Sequence, residues 1–415
     1  MTSNGATLPE LLAPAGNRER LEAAVHFGAD AVYVGLPKMS LRNLADNFTN
    51  DTLKDACRFV HSHGKRLYVA CNAFARDAQL TEADEVILAS CEAGADALIV
   101  TDPGVIARAK RLAPGMELHL STQANTLNSE AARFWYEQGV RRVVLARELS
   151  IDEIRRLREQ VPPELELEMF VHGAMCIAYS GRCVLSNYLS GRDSNKGECV
   201  QPCRWGYEMR EAGSKDAPYR LEEDGRGTFV LNSKDLNLIE YLPGIIAAGV
   251  RSLKIEGRMK SVYYVATAVN AYRMALDAFA RAQEKSERFA LDPAIARELE
   301  TCSHRPYTTG FAVGSGSPLQ ATESASYIQR WELTAIVRQV DQAHGRALLE
   351  QRNRFFDGDR LEILSPGDIG RSLTAHNLRD PEDNPLSCAP HPKQLVWIDT
   401  DQKLKPLDML RKEIG

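Results

Sequence analysis

Four segments of this chain repeat one pattern, and that pattern restricts the fold more than any other feature. HFGADAVYVG (26–35), EAGADALIVTD (92–102), EQGVRRVVLAR (137–147) and AAGVRSLKIEG (247–257) each end a helical stretch on Gly. Each then passes within a few residues into a buried, largely β-branched run. Copies of one helix–Gly–strand unit predict a parallel sheet whose neighbours are joined by helices. Eight such runs occur, at 10–16, 31–36, 66–73, 97–102, 117–123, 142–148, 166–173 and 252–258. Their spacing, with helical patterns between them, predicts an α/β fold of the (β/α)₈ TIM-barrel type rather than an open doubly wound sheet. No GxGxxG follows the first strand and no GxxxxGK[ST] occurs, so the dinucleotide and P-loop fingerprints are absent.

The interval from 174 to 251 breaks the rhythm. It holds a cysteine-rich insertion (about 174–235), a polar stretch at about 205–232 read as β-rich, and one helix, LNLIEYLPGIIAAG. A helix from about Ser261 to Glu284 leads onward. From about 325 the pattern changes to short strands with turn signals, predicting a small all-β, barrel-like domain over 325–415 after a barrel domain over 1–324. At 415 residues, two domains agree with the length.

A net charge of −5 gives no global nucleic-acid footprint, so an RNA substrate would have to meet a local patch. No run approaches a membrane span, and the first residues lack a basic segment followed by an apolar one. The expectation is therefore a cytoplasmic protein with reduced thiols and no membrane partner. Nine cysteines, an odd number, also argue against a closed disulfide framework.

Four of them, Cys176, Cys183, Cys199 and Cys203, fall within 28 residues, separated by six, fifteen and three. The cluster begins just beyond the seventh strand, at the end of the barrel where active sites form. Four thiolates can hold zinc or an iron–sulfur cluster. Only one pair has the short spacing usual for zinc, whereas a larger cluster tolerates uneven spacing; uncoordinated thiols remain the third alternative. Cys57, Cys91 and Cys71 read as core residues on helix faces and in a strand, and Cys302 and Cys388 carry no assignment.

Residues just past the strands should converge on one pocket: Asn17, Asn72, Asp102, Gln123, Arg147, Glu148, His172, Glu256 and Arg258. His172 and Glu256 are the candidate acid/base residues because each follows a predicted strand. Asn72, Gln123, Arg147 and Arg258 are candidate substrate-binding residues, with the arginines suited to a small carboxylate metabolite. The alternative is that the arginines and their neighbouring glutamates form structural salt bridges. A basic and aromatic rim for RNA is offered by Arg182, Tyr188, Arg192, Lys196, Arg204 and Trp205, with Arg258, Lys260, Tyr263 and Tyr264. No HExxH or GxSxG is present to support a metallopeptidase or a serine hydrolase.

ELEMFVHGAMCIAYSGRCVLSN resembles the defining motif of the collagenase-like peptidase family U32. That pattern, E-x-F-x-x-G-[small]-[aliphatic]-C-x₄-G-x-C, is met by Glu168, Phe170, Gly173, Ala174, Met175, Cys176, Gly181 and Cys183. LLAPAGN, STQANTLNS, NSKDL, LKIEGRMKS and FDGDRLEILSPG are similar to the family's other recurrent segments, so the resemblance spans essentially the whole chain. It implies a relationship to oxygen-independent hydroxylation proteins of ubiquinone and RNA that carry a 4Fe-4S cluster on four cysteines. Carried over here, those ligands are Cys176, Cys183, Cys199 and Cys203. The chain's length and added β-domain resemble the branch acting on tRNA, which implies wobble-uridine conversion to 5-hydroxyuridine with prephenate as co-substrate and an electron donor as partner. A U32-type peptidase and a non-catalytic protein binding RNA or a partner enzyme are the alternatives.

Overall fold

A computed structural model describes residues 8–41, 46–176, 178–196, 198–205, 233–314 and 327–414. The predicted polar β-rich stretch at 205–232 lies, beyond Trp205, outside the described residues. Seven strands arrive in order: β1 (Glu10–Pro14), β2 (Ala31–Gly35), β3 (Arg66–Cys71), β4 (Ala97–Val100), β5 (Glu117–Leu120), β6 (Arg142–Val144) and β7 (Glu166–Ala174). Each pairs in parallel with the next. After a short β8 (Asp235–Asn237), β9 (Ser252–Ile255) pairs in parallel with both β1 and β7 and closes an eight-stranded barrel. The predicted (β/α)₈ architecture is thus the fold. β8 runs antiparallel to the overhanging end of β7 and carries β10 (Tyr307–Thr308) on its other side. The stretch read as one helix at 236–249 is instead the end of β8, a 3₁₀ turn and the helix Leu242–Ala247. The repeat glycine works as its position suggests: Gly94 and Gly249 have φ of 80° and 82°, the left-handed geometry that ends a helix and releases the chain into the next strand.

The barrel interior is not a purely aliphatic plug. Leu12, Ala31, Tyr33, Tyr68, Ala97 and Ile99 form an apolar cluster, and beside it runs a buried ionic network. The Arg142 guanidinium reaches Glu10 at 2.6 Å, Glu166 at 2.7 Å and Glu168 at 3.3 Å. Glu168 accepts a second cation, Lys254, at 2.7 Å. Tyr68 Oη and Ser252 Oγ also donate to Glu10, at 2.7 and 3.1 Å. Burial opposes ionisation of Glu168, but Lys254 and Arg142 together hold its carboxyl below the usual carboxylate range. Burial also opposes charge on Arg142, and Glu10 and Glu168 more than offset it.

A second unit divides from the barrel at a different place from the 324/325 boundary read in the sequence. Residues 26–28, 261–304 and 328–415 cluster together, and 305–327 remain with the barrel. The helix Val262–Glu284, capped by Ser261 as its predicted start requires, therefore belongs to the C-terminal unit. Asn270 on that helix bonds Ser365 O and Gly367 N, and Arg411 ties Glu298 at 2.5 Å to Glu362. Long-range bonds of this kind cannot be seen in local composition. The unit's seven-stranded antiparallel sheet uses β11 (Trp331–Asp341), β12 (Arg346–Gln351), β14 (Arg360–Ser365), β15 (Asp368–Thr374), β16 (His376–Arg379), β18 (Leu395–Asp399) and β19 (Met409–Glu413). The order is β15-β14-β19-β11-β12-β18-β16, with β13 (Phe355–Phe356) and β17 (Cys388–Ala389) forming a small separate pair. Leu349, Phe355, Leu361, Ile363, Val396 and Leu410 are among its core.

Removing Arg142 leaves Glu10 without its cation and buried Glu168 with Lys254 alone. Arg142→Met is expected to lower the unfolding free energy by about 3–5 kcal/mol, measured by urea titration at pH 7. His119, fully buried and held below its ordinary value of 6.5 chiefly by burial, gives a pH signature. Its folded pKa is depressed, so its contribution is complete above 6.5 and is lost as pH falls below it, when the unfolded chain takes the proton first. His119→Asn should flatten the stability profile as pH falls below 6.5, read from urea midpoints above and below that value.

Candidate functional site

The C-terminal ends of the barrel strands open on a cavity of about 340 Å³. Its wall brings together Asn72, Gln123, Arg147, Glu256 and Arg258 with all four cysteines of the cluster. Arg147, past the end of β6, donates to Ala174 O at 3.1 Å, and its guanidinium lies 4.1 Å over the Phe170 ring. Arg258 is almost fully buried and donates to Ser40 Oγ at 2.6 Å. The close approach is possible because residue 35 is Gly: a Cβ there would stand 1.9 Å from Arg258 Nη1. Glu256 accepts from Tyr33 Oη at 3.2 Å, and the same hydroxyl donates to Ile255 O at 3.0 Å. Asn72 Nδ2 donates to Ser121 Oγ at 3.4 Å, while Gln123 Oε1 accepts from Thr101 and Ser121 hydroxyls, each at 3.4 Å.

Several strand-end residues are elsewhere. His172 is fully buried and stacks near Tyr307, with ring centroids 5.5 Å apart, and is not on the cavity wall. Between Phe170 and His172 the β7–β9 register shifts, so that Phe170 faces Lys254 and His172 faces Ile255. This irregularity breaks the alternation that would have turned His172 inward after Glu168 and Phe170. Asp102 and Asn17 accept from the backbone N–H groups of the helix starts that follow them. Glu148 is half-buried and off the wall, and burial raises its carboxyl. The proposed RNA rim is corrected in part. Tyr263 and Tyr264 are buried in their helix and Arg258 is enclosed, whereas Tyr188 and Trp205 are exposed. The side chains of Lys196 and Arg204 are outside the described set.

The cysteine segment is tied to the barrel rather than draped over it. Asn125 Nδ2 donates to Ser180 O at 3.1 Å, and Gly181, at φ 74°, packs where a Cβ would stand 3.2 Å from Gln123. The short helix Leu185–Ser190 follows, and Ser194 Oγ donates to Cys183 O at 2.6 Å. Gln201, in the left-handed region at φ 57°, places its N–H 3.4 Å from Cys199 Sγ. Backbone donation to a sulfur stabilises a thiolate and suits a metal ligand. Among the described residues, no three His, Cys, Asp or Glu side chains close on one point as single-ion ligands do. Cys176, Cys183, Cys199 and Cys203 all line the one cavity, and four thiolates can hold either zinc or an iron–sulfur cluster. Cys57, Cys71 and Cys302 are buried, but Cys91, read as a core residue, is exposed on its helix.

The sequence reading missed Lys254 and Tyr33, both on the cavity wall. A lysine flanked by fully buried Leu253 and Ile255, two residues before Glu256, was the available signal: alternation puts both charges on one face.

The pattern of peptidase family U32 matches residues 16–321, and that of the peptidase family U32 C-terminal domain matches 329–411. The tRNA hydroxylation protein P1 of Bacillus subtilis is 42% identical over 406 residues, covering 97% of this chain and 94% of that protein. The tRNA hydroxylation protein P of Escherichia coli is 35% identical, covering 96% and 95%. A protein named collagenase from Porphyromonas gingivalis is 35% identical over 318 residues, covering 74% of this chain and 73% of its own.

The fit of Arg258 against Gly35 can be tested without knowing the reaction. Gly35→Ala should retain the fold, because the clash falls on the far end of a flexible side chain. It should expose the guanidinium, so phenylglyoxal modification of Arg258, followed by peptide mass spectrometry, should become faster than in the parent protein.

Proposed function

We propose that this chain, which belongs to peptidase family U32, acts in tRNA modification, as a hydroxylase converting the wobble uridine to 5-hydroxyuridine. The observation that carries the reading is the composition of one cavity wall: four cysteines of the family motif region face the same space as Arg147, Arg258 and Glu256. Two relatives that match almost end to end are named for tRNA hydroxylation, which supports the same substrate class here. The collagenase name belongs to a relative matching a smaller share, and HExxH and GxSxG are absent from this sequence.

In this reading Cys176, Cys183, Cys199 and Cys203 hold a 4Fe-4S cluster. When bound, it supplies electron transfer next to the substrate cavity. Replacing C5–H of uracil by C5–OH adds one oxygen atom and oxidises the base by two electrons: either a co-substrate hands over the oxygen and is itself reduced, or water supplies it, two protons leave and an acceptor takes the two electrons. Arg147 and Arg258, both held in place by packing, suit the carboxylates of a small acid such as prephenate. Glu256, oriented by Tyr33, is the carboxylate placed to take or return a proton within the cavity. Phe170 and Tyr33 give a flat, apolar lining against which a ring can lie. Among the described residues no helix is long and apolar enough to cross a membrane.

Anaerobic purification should give a coloured protein with about four irons and four sulfides per chain, and Cys176→Ser should lose most of both. In a strain lacking the gene, mass spectrometry of tRNA nucleosides should show loss of 5-hydroxyuridine derivatives. The parent gene should restore them and the Cys176→Ser gene should not. A colourless zinc protein, or unchanged nucleosides in a strain without a second route, overturns the proposal; gelatin cleavage by such a protein would favour the peptidase reading.

A further inference from the structure

Lys254 lies on β9, a strand buried throughout, between two fully buried aliphatic residues, and is itself only 4% exposed. It is nevertheless on the wall of the cavity. Three groups hold its ammonium: Glu168 Oε1 at 2.7 Å, the Tyr33 ring at 4.7 Å and the Phe170 ring at 5.4 Å. Two of these, Glu168 and Phe170, are the E and F of the E-x-F motif. That part of the motif is thus a cradle for a lysine on another strand. An ammonium has three N–H donors, and Glu168 uses one; aromatic faces steady a cation without consuming its hydrogen bonds as an oxygen would.

The rest of the wall points to an anion. Among the described residues its Arg and Lys members are Arg147, Lys254, Arg258 and Lys260 against one carboxylate, Glu256, with the four cysteines on the cluster side. Gln123, 1% exposed on the same wall, has its Oε1 engaged by two hydroxyls while its buried Nε2 has no hydrogen-bond partner among the described residues. A buried donor of this kind and an anchored ammonium are what a carboxylate's two oxygens satisfy.

We infer that Lys254 binds a carboxylate of a small organic acid in the cavity, with Glu168, Phe170 and Tyr33 as its positioning residues. This rests on the reading that an acid metabolite enters the cavity, and it adds the residue that meets it. Glu168 fixes where the ammonium stands, and Arg142, 3.3 Å from the same carboxylate, shares the neutralisation of Glu168. The Lys254 charge thereby remains available to a ligand.

The test is calorimetric titration of the full-length protein with malonate, with its neutral diamide malonamide as the control, and with prephenate. Lys254→Met alone strands Glu168 and risks unfolding, so the informative pair is Glu168→Gln and Glu168→Gln/Lys254→Met, compared after thermal melts show both folded. The parent protein should bind malonate and not malonamide. Glu168→Gln, whatever its own affinity, serves as the reference that still carries Lys254, and the double variant should bind malonate at least about tenfold more weakly than that reference. Adding Lys254→Arg to Glu168→Gln instead should restore part of that loss. Equal binding by the two folded variants overturns the inference, as does equal binding of malonate and malonamide, or no malonate binding by the parent at millimolar concentration. Lys254-dependent binding of malonate without binding of prephenate leaves the inference standing and removes prephenate from the functional reading.

Discussion

The barrel depends on a buried charge constraint. Arg142 holds Glu10 and Glu168 inside the ring of strands, and Glu168 in turn holds Lys254. Each charge has a partner close enough that desolvation is offset, so the interior is satisfied although it is not aliphatic. The network crosses the barrel through β1, β6, β7 and β9, including both strands that flank the closure. A one-residue slip of any of them would turn a charge outward and leave its partner unpaired, so the network specifies register as well as stability.

The same network connects the core to the cavity. Lys254 is both its last member and a wall residue, so the rigidity of the interior extends to the place where a ligand would sit. Above it, the wall residues are fixed by contacts made elsewhere: Arg147 on Phe170 and Ala174 O, Arg258 on Ser40, and Glu256 on Tyr33. The cysteine segment is pinned from the barrel side by Asn125 and from within by Ser194. A preorganised site of this kind loses little to reordering when it binds.

How much of this was legible follows from the physics of each signal. The eight barrel strands were visible because a buried parallel strand is a continuous apolar run, bounded here by a helix-ending glycine. The cysteine segment was visible because unusual residues close together in sequence need little folding to meet. Asn72, Gln123, Arg147, Glu256 and Arg258 were legible from position alone, since a parallel barrel carries strand ends to one face. His172 was not, because the register shift after Phe170 depends on the pairing of β7 with β9 and has no local signature. Asp102 and Asn17 share the strand-end position but are consumed as helix caps, a competing use of the same residue types. The membership of 261–304 in the second unit was hidden because it is decided by contacts such as Glu298–Arg411, across more than a hundred residues.

Lys254 shows why motif and mechanism are hard to connect from sequence. Glu168 and Phe170 belong to the recognisable pattern, yet what they hold is 86 residues away. The pattern marks the cradle because its members are close together in the chain. The side chain resting in it is marked only by being charged where its neighbours are fully buried. A cation there must be stabilised before a ligand arrives, and Glu168 does that at the cost of part of its charge. Arg142 reduces that cost by sharing Glu168, which explains why two cations converge on one buried carboxylate. The arrangement that makes the barrel stable is therefore also the one that leaves a positive group facing the cavity, and a change at this point bears on fold and site together.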